Sequence, residues 1–407
     1  MNKSIRLAYL VSHPIQYQAP LLRRISEERD IDLTVFFGSD FSVRGYKDEG
    51  FGVGVAWDVP LLEGYKHLFL PAIRDNGRVS VAAPLNRGIF DRLRGTGAEP
   101  SFDVLWVHGY ATVNAMHGML VAKALGIPVL LRAESWLKDR SRSNAKLALK
   151  RRFFDGLKSL VDGVLPIGTL NAEYWRYYFG SDVPQFLMPY AVDNRYFAQR
   201  SVEAADRRSG LMQEFGLEAG RPVILFASKL QTRKRCADLI EAYARLVGTG
   251  DCVASTPYLL IVGDGEERGR LETQVKERAL DSVRFCGFRN QSELPSFFDL
   301  ASVFVLPSEH EPWGLIVNEV MNAGRAVIVS DDVGCQPDLI TDGVEGCVFP
   351  VGDIDGLRRA LGRVLASPET VLEMGRRAKE RIASWDFEAD VRGLRSAIAT
   401  VTRGLQA

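Results

Sequence analysis

Two carboxylates, Glu311 and Glu319, stand eight positions apart in a segment whose pattern could support chemistry. An apolar run from Val303 to Leu306 predicts a buried strand that ends just before the first carboxylate. The pattern then predicts a helix over Leu315–Ala323 and another strand over Ala326–Ser330. This order places Glu311 just beyond the carboxyl end of a parallel strand, where open α/β sheets bind ligands.

The start of the predicted helix is a second chemical feature of this segment. The backbone N–H groups of residues 314–317 have no partner within a helix and favour an anion such as phosphate. A carboxylate repels phosphate, but it accepts two hydrogen bonds from a vicinal diol. A site with a diphosphate at its centre and diols on either side suits a nucleotide sugar. The alternative is that Glu311 and Glu319 are a solvated loop residue and a helix-surface residue.

From Glu311 to Gly324 the chain is written E-P-W-G-L-I-V-N-E-V-M-N-A-G. This segment resembles the E-x7-E signature of family 4 retaining glycosyltransferases, which have the two-domain GT-B fold. The resemblance implies that Glu311 binds hydroxyls of the donor sugar and that Glu319 binds the ribose diol. It also implies that backbone N–H groups near the sugar and the phosphates come from Gly314, Leu315 and Ile316.

Two lysines, Lys229 and Lys234, follow the predicted strand Pro222–Ala227 and resemble the G-R-L-x3-K-G pattern of the family. Lys229 replaces an arginine of that pattern, and Arg235 replaces its last glycine. Two positive charges beside a diphosphate would stabilise the charge that develops on the leaving group. We therefore expect both lysines to be catalytic, the alternative being a solvated basic loop.

Two further glycine-containing turns resemble donor-binding segments of the family. Gly263 opens a G-x-G-x-E turn, a pattern that by itself more often marks a tight turn than a site. Gly287 and Phe288 belong to an F-x-G-F segment whose backbone lies against the nucleobase in the family. Backbone contacts carry little information about the base, so uracil, guanine and adenine all remain open.

No metal or other cofactor is expected for this site. The two D-x-D sequences, Asp30–Asp32 and Asp353–Asp355, fall on predicted surface segments. The two lysines and the helix N-terminus can supply the positive charge that a metal supplies elsewhere.

The composition is that of a globular protein, with 46% apolar and 25% charged residues in 407. No run of 18 apolar residues or signal peptide is evident, and five cysteines without C-x2-C spacing fit a reducing compartment. We therefore expect a cytoplasmic protein without disulfides. Residues 1–200 hold 26 Lys+Arg against 20 Asp+Glu, and residues 201–407 hold 25 against 31. The basic first half could meet an anionic acceptor or a membrane surface, or the imbalance could be chance.

Short apolar runs alternate with helical patterns through both halves, which predicts an α/β fold with two doubly wound parallel-sheet domains. The resemblance implies the GT-B form, in which two Rossmann-like domains face a central cleft. We expect the first domain over 1–190 and the donor domain over 191–385. A turn-rich linker is expected over Met188–Phe197, and a final helix over 386–407 should pack back on the first domain. The predicted strands are Ile5–Val11, Asp32–Phe37, Val104–Val107, Val129–Leu131, Val164–Pro166, Pro222–Ala227, Tyr258–Val262, Val283–Cys286, Ser302–Leu306, Ala326–Ser330 and Gly346–Phe349.

The first domain offers four candidates for the acceptor side or the cleft. His13 follows the first strand, where the family commonly has two glycines, and His108 follows another strand. Arg132 and Glu134 occupy a loop where many members carry a histidine near the donor sugar. Glu134 could orient an acceptor hydroxyl as a base, or it could pair with Arg132. Each histidine could instead cap a loop or lie in the core.

The segment from Leu137 to Lys158 carries eight cations against two acids, with leucines and phenylalanines between them. A basic amphipathic helix of this kind suits an anionic membrane surface at the inner face of the membrane, or a lipid-linked acceptor. The alternative is an ordinary solvated helix whose apolar stripe faces the core. Nucleic acid is not expected as a partner, because the net charge is zero and no binding module is recognisable.

These features together predict a metal-independent retaining glycosyltransferase that moves a sugar from a nucleotide sugar to a glycan or lipid-linked acceptor of the cell envelope. Two alternatives remain open. A sugar-nucleotide epimerase of the GT-B fold would bind a similar donor and need no acceptor. A catalytically idle scaffold would bind the sugar nucleotide without turnover.

Overall fold

The computed structural model describes residues 4–47, 54–55, 57–95, 101–138, 144–249 and 255–403. The chain forms two compact units, which are described separately. The first unit comprises Met1–Tyr46, Val59–Tyr190 and Phe387–Ala407, and the second comprises Lys47–Asp58 and Ala191–Asp386. The expected division at residue 190 did not anticipate that Lys47–Asp58 group with the second unit.

The strands, in chain order, are β1 (Ile5–Val11), β2 (Ile31–Phe37), β3 (Tyr46–Lys47), β4 (Gly54–Val55), β5 (Lys66–Phe69), β6 (Ala72–Arg74), β7 (Leu85–Asn86), β8 (Val104–His108), β9 (Val129–Arg132), β10 (Gly163–Val164), β11 (Val223–Ala227), β12 (Tyr258–Val262), β13 (Val283–Gly287), β14 (Val303–Leu306), β15 (Ala326–Ser330) and β16 (Gly346–Phe349). The helices are α1 (Ala19–Ser26), α2 (Ile89–Arg94), α3 (Val113–Ala124), α4 (Asn144–Lys158), α5 (Thr169–Phe179), α6 (Asn194–Glu203), α7 (Arg208–Phe215), α8 (Cys236–Thr249), α9 (Arg268–Glu277), α10 (Leu294–Leu300), α11 (Leu315–Asn322), α12 (Gln336–Leu339), α13 (Ile354–Val364), α14 (Pro368–Ile382) and α15 (Phe387–Val401), with 3-10 turns at Ala204–Arg207 and Thr232–Lys234.

The first unit contains a parallel sheet of six strands in the order β10-β9-β8-β1-β2-β5. Successive residues of β1 point to opposite faces, so Leu7 and Tyr9 belong to one apolar cluster while Ala8 and Leu10 belong to another. Both faces are therefore covered, which is typical of parallel sheets. The chain leaves β1 toward β2 and later returns to its other side at β8, so the strand order reverses between β1 and β8.

The second unit repeats this topology with a parallel sheet in the order β13-β12-β11-β14-β15-β16. Apolar residues of its strands, among them Ile224, Ile261 and Val305, are fully buried under the helices. Here the order reverses between β11 and β14. The expected doubly wound α/β class is confirmed for both units.

Ten of the eleven predicted strands are confirmed to within one residue at each end, and two predictions need correction. The strand expected over Val164–Pro166 is Gly163–Val164. The linker expected over Met188–Phe197 is irregular only to Asp193, because the Asp193 side chain accepts a hydrogen bond of 3.0 Å from the Tyr196 N–H and starts helix α6.

The last helix, α15, packs against the first unit. Val391 and Leu394 lie in the same apolar cluster as Tyr9. Glu388 accepts hydrogen bonds of 2.7 and 2.8 Å from the Arg24 guanidinium at the helix surface. The expected helix extended to residue 407, and its last four residues lie outside the described part of the chain. No helix among the described residues is long and apolar enough to cross a bilayer.

Candidate functional site

The second unit places charged side chains at the reversal point of its sheet. Lys229 and Lys234 follow β11, and Glu311 follows the neighbouring strand β14. The carboxyl ends of these two strands flank the point where open α/β sheets form a ligand crevice. We call Lys229, Arg233, Lys234 and Glu311 the second-unit cluster.

Lys234 and Glu311 form an ion pair at the centre of this cluster. Only 7% of Lys234 is exposed, and burial lowers the pKa of its ammonium despite the opposing charge of Glu311. The positive charges of Arg233 and Lys229 lower the same pKa, which shows that Lys229 lies within electrostatic range. Arg233 also donates to Glu311 Oε2 over 3.4 Å, a contact that the sequence did not suggest. The structure thus brings together the three charged residues that the sequence had singled out as catalytic.

Backbone hydrogen bonds hold the loop that carries Glu311. The N–H of Glu311 donates to the Asp332 carbonyl over 3.2 Å, and the N–H of Gly334 donates to the Glu311 carbonyl over 2.9 Å. A side chain at Gly334 would overlap the Pro312 carbonyl oxygen, so this approach requires glycine. The position of Glu311 is therefore set by the loop that follows the next strand, β15.

Helix α11 starts at Gly314, whose φ of 91° lies in the left-handed region that favours glycine. The N–H groups of Leu315 and Ile316 belong to its first turn, where an α-helix supplies no carbonyl partner. Trp313 donates to Asn318 Oδ1 over 3.0 Å and is buried, which anchors this end of the helix. The helix expected after Glu311 is therefore present, and its N-terminus follows Glu311 closely in the chain.

Glu319 lies on α11, partly buried, and makes no hydrogen bond or ion pair with any described residue. Desolvation by burial raises the pKa of its carboxyl to about 8. A carboxyl in this state lacks the partners that usually accompany burial, and it can accept hydrogen bonds from a ligand.

The glycines of the other two segments have structural roles. Gly263 has a φ of 131°, and a side chain there would overlap the Ser228 carbonyl oxygen after β11. Its N–H donates to the Gly287 carbonyl over 2.8 Å, which joins the ends of β12 and β13. Gly287 has a φ of 70°, and Phe288 follows it at the same edge of the sheet, partly buried. These residues shape the edge near the second-unit cluster, and no contact of theirs identifies a ligand.

The first unit also gathers polar side chains at the reversal point of its sheet. His13 follows β1, His108 ends β8, and Glu134 follows β9. Two tyrosines that the sequence did not suggest, Tyr17 and Tyr190, complete this group. We call these five residues the first-unit cluster.

Glu134 is the centre of the first-unit cluster. Its Oε1 accepts hydrogen bonds from the hydroxyls of Tyr17, over 3.3 Å, and Tyr190, and lies 3.6 Å from His108 Nε2. Burial opposes ionisation of the carboxyl, but the interaction with His108, with further contributions from Tyr190 and Arg132, outweighs burial and lowers its pKa. Glu134 is therefore held as a carboxylate.

His13 lies beside this group, with its Nδ1 2.9 Å from Ser12 Oγ and its ring 4.5 Å from that of Phe41. Burial, and then the nearby His108, lower the pKa of His13 to about 4. His13 is therefore a neutral imidazole that packs against Phe41 at a tilt.

Arg132 does not form the pair with Glu134 that the sequence had left open. Its Nη2 donates to the Met188 and Pro189 carbonyls, each over 3.1 Å, and lies 3.4 Å from Asp390 Oδ1. Only 3% of Arg132 is exposed. The guanidinium thus holds the chain at the end of the first unit, and of the two residues only Glu134 remains open to a ligand.

No group of three or more potential metal ligands of the His, Cys, Asp or Glu type is found within the described ranges.

Residues 208–381 match the family described as Glycosyl transferases group 1. Among curated proteins, the chain is similar to the alpha-D-kanosaminyltransferase of Streptomyces kanamyceticus, with 34% identity over 179 residues that cover 43% of this chain and 45% of that protein. It is also similar to the lipopolysaccharide core biosynthesis glycosyltransferase LpsE of Rhizobium meliloti, with 32% identity over 165 residues that cover 40% and 45%. The matched part thus spans about half the length of these relatives.

Among solved structures, a sucrose-phosphate synthase from Thermosynechococcus elongatus aligns over 98% of this chain and 100% of its own, with a TM-score of 0.68 and 20% identity. The HepE protein of Anabaena, solved with UDP and glucose, aligns over 97% and 100% with a TM-score of 0.68 and 16% identity. These likenesses show the GT-B fold. Residues 208–381 of the second unit thus carry the likeness to the group 1 glycosyl transferases, which are of the family 4 type.

Proposed function

We propose that this protein is a retaining glycosyltransferase that moves a sugar from a nucleotide sugar to an acceptor hydroxyl without a metal. The observation that carries the proposal is the buried Lys234, held against Glu311 with Lys229 in electrostatic range. Burying a cation is unfavourable unless the charge is paired. Glu311 pairs with Lys234 here, and a diphosphate leaving group would be a second partner of opposite charge.

On the donor side, Lys229 and Lys234 would meet the diphosphate together with the N–H groups of Leu315 and Ile316. Glu311 would exchange part of its contact with Lys234 for the hydroxyls of the donor sugar. Glu319, which has no partner among the described residues, would accept the ribose diol. Because the lysines neutralise the leaving group, the proposed reaction needs no divalent cation.

In the proposed reaction the acceptor hydroxyl attacks the anomeric carbon on the face that the diphosphate leaves. The bond between that carbon and the diphosphate oxygen breaks, a bond to the acceptor oxygen forms, and a diphosphate oxygen takes the acceptor proton. The anomeric configuration is thereby retained. Glu134 of the first unit, held as a carboxylate, would position the acceptor hydroxyl.

Thermal unfolding with millimolar UDP, GDP or ADP in the presence of EDTA tests the donor site. A ligand at 100 times its dissociation constant adds roughly 2.7 kcal/mol of stability, so one nucleotide should raise the melting temperature clearly. The matching nucleotide sugar and candidate acceptors are then followed by NMR, which reports the anomeric configuration of the product. An isomerised sugar without acceptor would indicate an epimerase, and nucleotide binding without turnover would indicate a scaffold.

We further propose a glycan or lipid-linked acceptor of the cell envelope, reached at the inner face of the membrane. Helix α4 supports this proposal because its apolar residues divide between two faces. Phe154 and Leu157 are buried in the core, as an ordinary amphipathic helix requires, but Leu149 and Phe153 are 73% and 40% exposed. Exposed cations on the same helix could meet anionic lipid headgroups. The similarity to LpsE, a lipopolysaccharide core biosynthesis glycosyltransferase, fits such an acceptor.

Vesicle sedimentation with and without phosphatidylglycerol tests the membrane contact. Lys150 lies over the rings of Tyr174 and Tyr178, and Arg151 binds Tyr177, so these cations support the fold. The exposed pair Lys146 and Arg152 is the better target. Replacing both by Ser should reduce binding to anionic vesicles alone. Absence of binding by the wild type would reject the membrane contact and leave a soluble acceptor.

A further inference from the structure

A chain of polar side chains leads from the core of the first unit to Glu134. The Tyr9 hydroxyl donates to Gln18 Oε1 over 2.8 Å, and Gln18 Nε2 lies 3.2 Å from His108 Nδ1 and 3.3 Å from its Nε2. His108 Nε2 in turn lies 3.6 Å from Glu134 Oε1. Tyr9 is fully buried and Gln18 is 6% exposed. This series of polar side chains therefore leads from the apolar interior to the first-unit cluster at the sheet edge.

The orientation of the Gln18 amide follows from Tyr9. The Tyr9 hydroxyl proton needs an acceptor because the group is fully buried, and Gln18 Oε1 is its one hydrogen-bond acceptor in the described part of the chain. A carbonyl oxygen can only accept, so the Gln18 NH2 group must face His108. An amide nitrogen can only donate, so one nitrogen of His108 must be unprotonated.

Glu134, on the other side of the His108 ring from Gln18, decides which nitrogen of His108 is unprotonated. A carboxylate can only accept hydrogen bonds, and the His108 nitrogen nearest to Glu134 is Nε2. Nε2 therefore carries the proton, and the lone pair of Nδ1 faces Gln18. A doubly protonated His108 would set an N–H against the Gln18 NH2 group.

We propose that Gln18 is a positioning residue that fixes His108 in the Nε2–H tautomer, so that His108 donates to Glu134 and leaves one oxygen of Glu134 for the acceptor hydroxyl. Oε1 of Glu134 already faces three donors, those of Tyr17, Tyr190 and His108. Oε2 makes no hydrogen bond to any residue in the described ranges. The acceptor role of Glu134 rests on the proposed function; the tautomer of His108 does not.

The local structure around Gln18 supports this assignment. Gln18 is the N-cap residue of α1, a position where Ser, Thr, Asp or Asn would bond the first turn of the helix. Its side chain makes no such capping bond and reaches Tyr9 and His108 instead. The N-terminus of α1 therefore lacks a local capping bond, while the side chain connects β1 to β8.

The tautomer can be read directly by long-range 1H–15N NMR on the full chain labelled at histidine. The chain has only five histidines, and His108→Gln identifies the signal by its loss. We expect the proton on Nε2 and the lone pair on Nδ1 in the wild type. Gln18→Glu offers an acceptor in place of the donor and should move the proton to Nδ1 or protonate the ring. A wild-type Nδ1–H signal, or no change in Gln18→Glu, would overturn the proposal.

Kinetics give the second readout. Gln18→Met keeps the length of the side chain but removes its donor, and it should raise the acceptor KM about tenfold while the thermal shift with nucleotide stays unchanged. Gln16→Met, two residues earlier, is the matched control and should leave both values unchanged. An unchanged acceptor KM in a folded Gln18→Met protein would overturn the positioning role. Absence of turnover in the wild type would reject the proposed function alone, since the NMR result stands without it.

Discussion

The two units share one sheet topology and differ in the charge that they place at its reversal point. The second unit gathers cations around a single carboxylate, with the buried Lys234 against Glu311. The first unit surrounds the carboxylate of Glu134 with tyrosine hydroxyls and an imidazole. In both, the side chains come from strands on either side of the reversal.

This difference separates the location of a site from its chemistry. The doubly wound order leaves a crevice at the carboxyl edge of either sheet, because the connections diverge there. The side chains at that crevice decide which ligand binds. Under the proposed function, the cationic cluster of the second unit would meet the diphosphate, and the carboxylate of the first unit would meet the acceptor hydroxyl.

The largest expected effect is on turnover and comes from the second unit. Lys234→Ala should lower kcat about 10²- to 10³-fold, the usual loss when one group that stabilises developing charge is removed. Arg233→Ala removes an exposed cation from the same carboxylate and should lower kcat less than about tenfold. Steady-state kinetics measures both, and thermal unfolding checks the fold. A near-wild-type rate in Lys234→Ala would contradict the cationic role of this cluster.

The next effect concerns stability at the same edge. Gly263→Ala should reduce the free energy of unfolding of the second unit by about 3 kcal/mol, because the new methyl overlaps the Ser228 carbonyl at a φ of 131°. Gly269→Ala is the control, since Gly269 lies in α9 with open space around it, and it should stabilise by about 0.5 to 1 kcal/mol. Hydrogen exchange resolved to peptides locates the change. Loss of protection in the first unit alone would contradict the expectation that the Gly263→Ala substitution destabilises the second unit.

The carboxylates of the two units should respond to pH with opposite signs. The pKa of Glu319 is about 8 in the folded chain against 4.5 for an ordinary Glu, so the wild type loses stability as pH rises from about 4.5 to 8. Glu319→Gln should therefore be more stable than wild type by about 1 to 3 kcal/mol at pH 9 and equal to it at pH 4. The pKa of Glu134 is lowered, so Glu134→Gln should be less stable than wild type at neutral pH and equal to it in acid. Urea unfolding across this pH range measures both, and equal signs would contradict the contrast.

The smallest expected effect is an acid sensitivity of the first unit. The pKa of His13 is about 4 in the folded chain against 6.5 for an ordinary His, so the unfolded state binds the proton first as pH falls. Stability should decline from pH 6.5 toward pH 4, and His13→Asn should remove about 1 to 2 kcal/mol of this decline. His67→Asn, which also removes one imidazole from the first unit, is the control. Equal declines in wild type and His13→Asn between pH 7 and 5 would show that the burial of His13 carries no penalty.

Local sequence predicted much of the second unit. Apolar runs placed its strands, and Lys234, Glu311 and Gly314 were identified from spacing and motif because each motif lies within a single strand–loop–helix segment. The conformation of Arg235 agrees with the glycine that the family pattern has at this position. This residue has a φ of 52°, in the left-handed region where the family pattern has glycine, and its Nε donates to Asp238 Oδ2 over 2.7 Å.

The first-unit cluster shows the limit of what local sequence can predict. Tyr17, His108, Glu134 and Tyr190 are separated by long stretches of chain, and only the pairing of β1, β8 and β9 brings their loops together. The sequence by itself determined the α/β class, most strand positions and the cationic motif, because periodicity and motif spacing are properties of contiguous residues. Only the tertiary structure decided that Arg132 binds backbone carbonyls and Asp390 while Glu134 binds two tyrosines. Those partners are set by contacts between residues far apart in the chain, which no local pattern records.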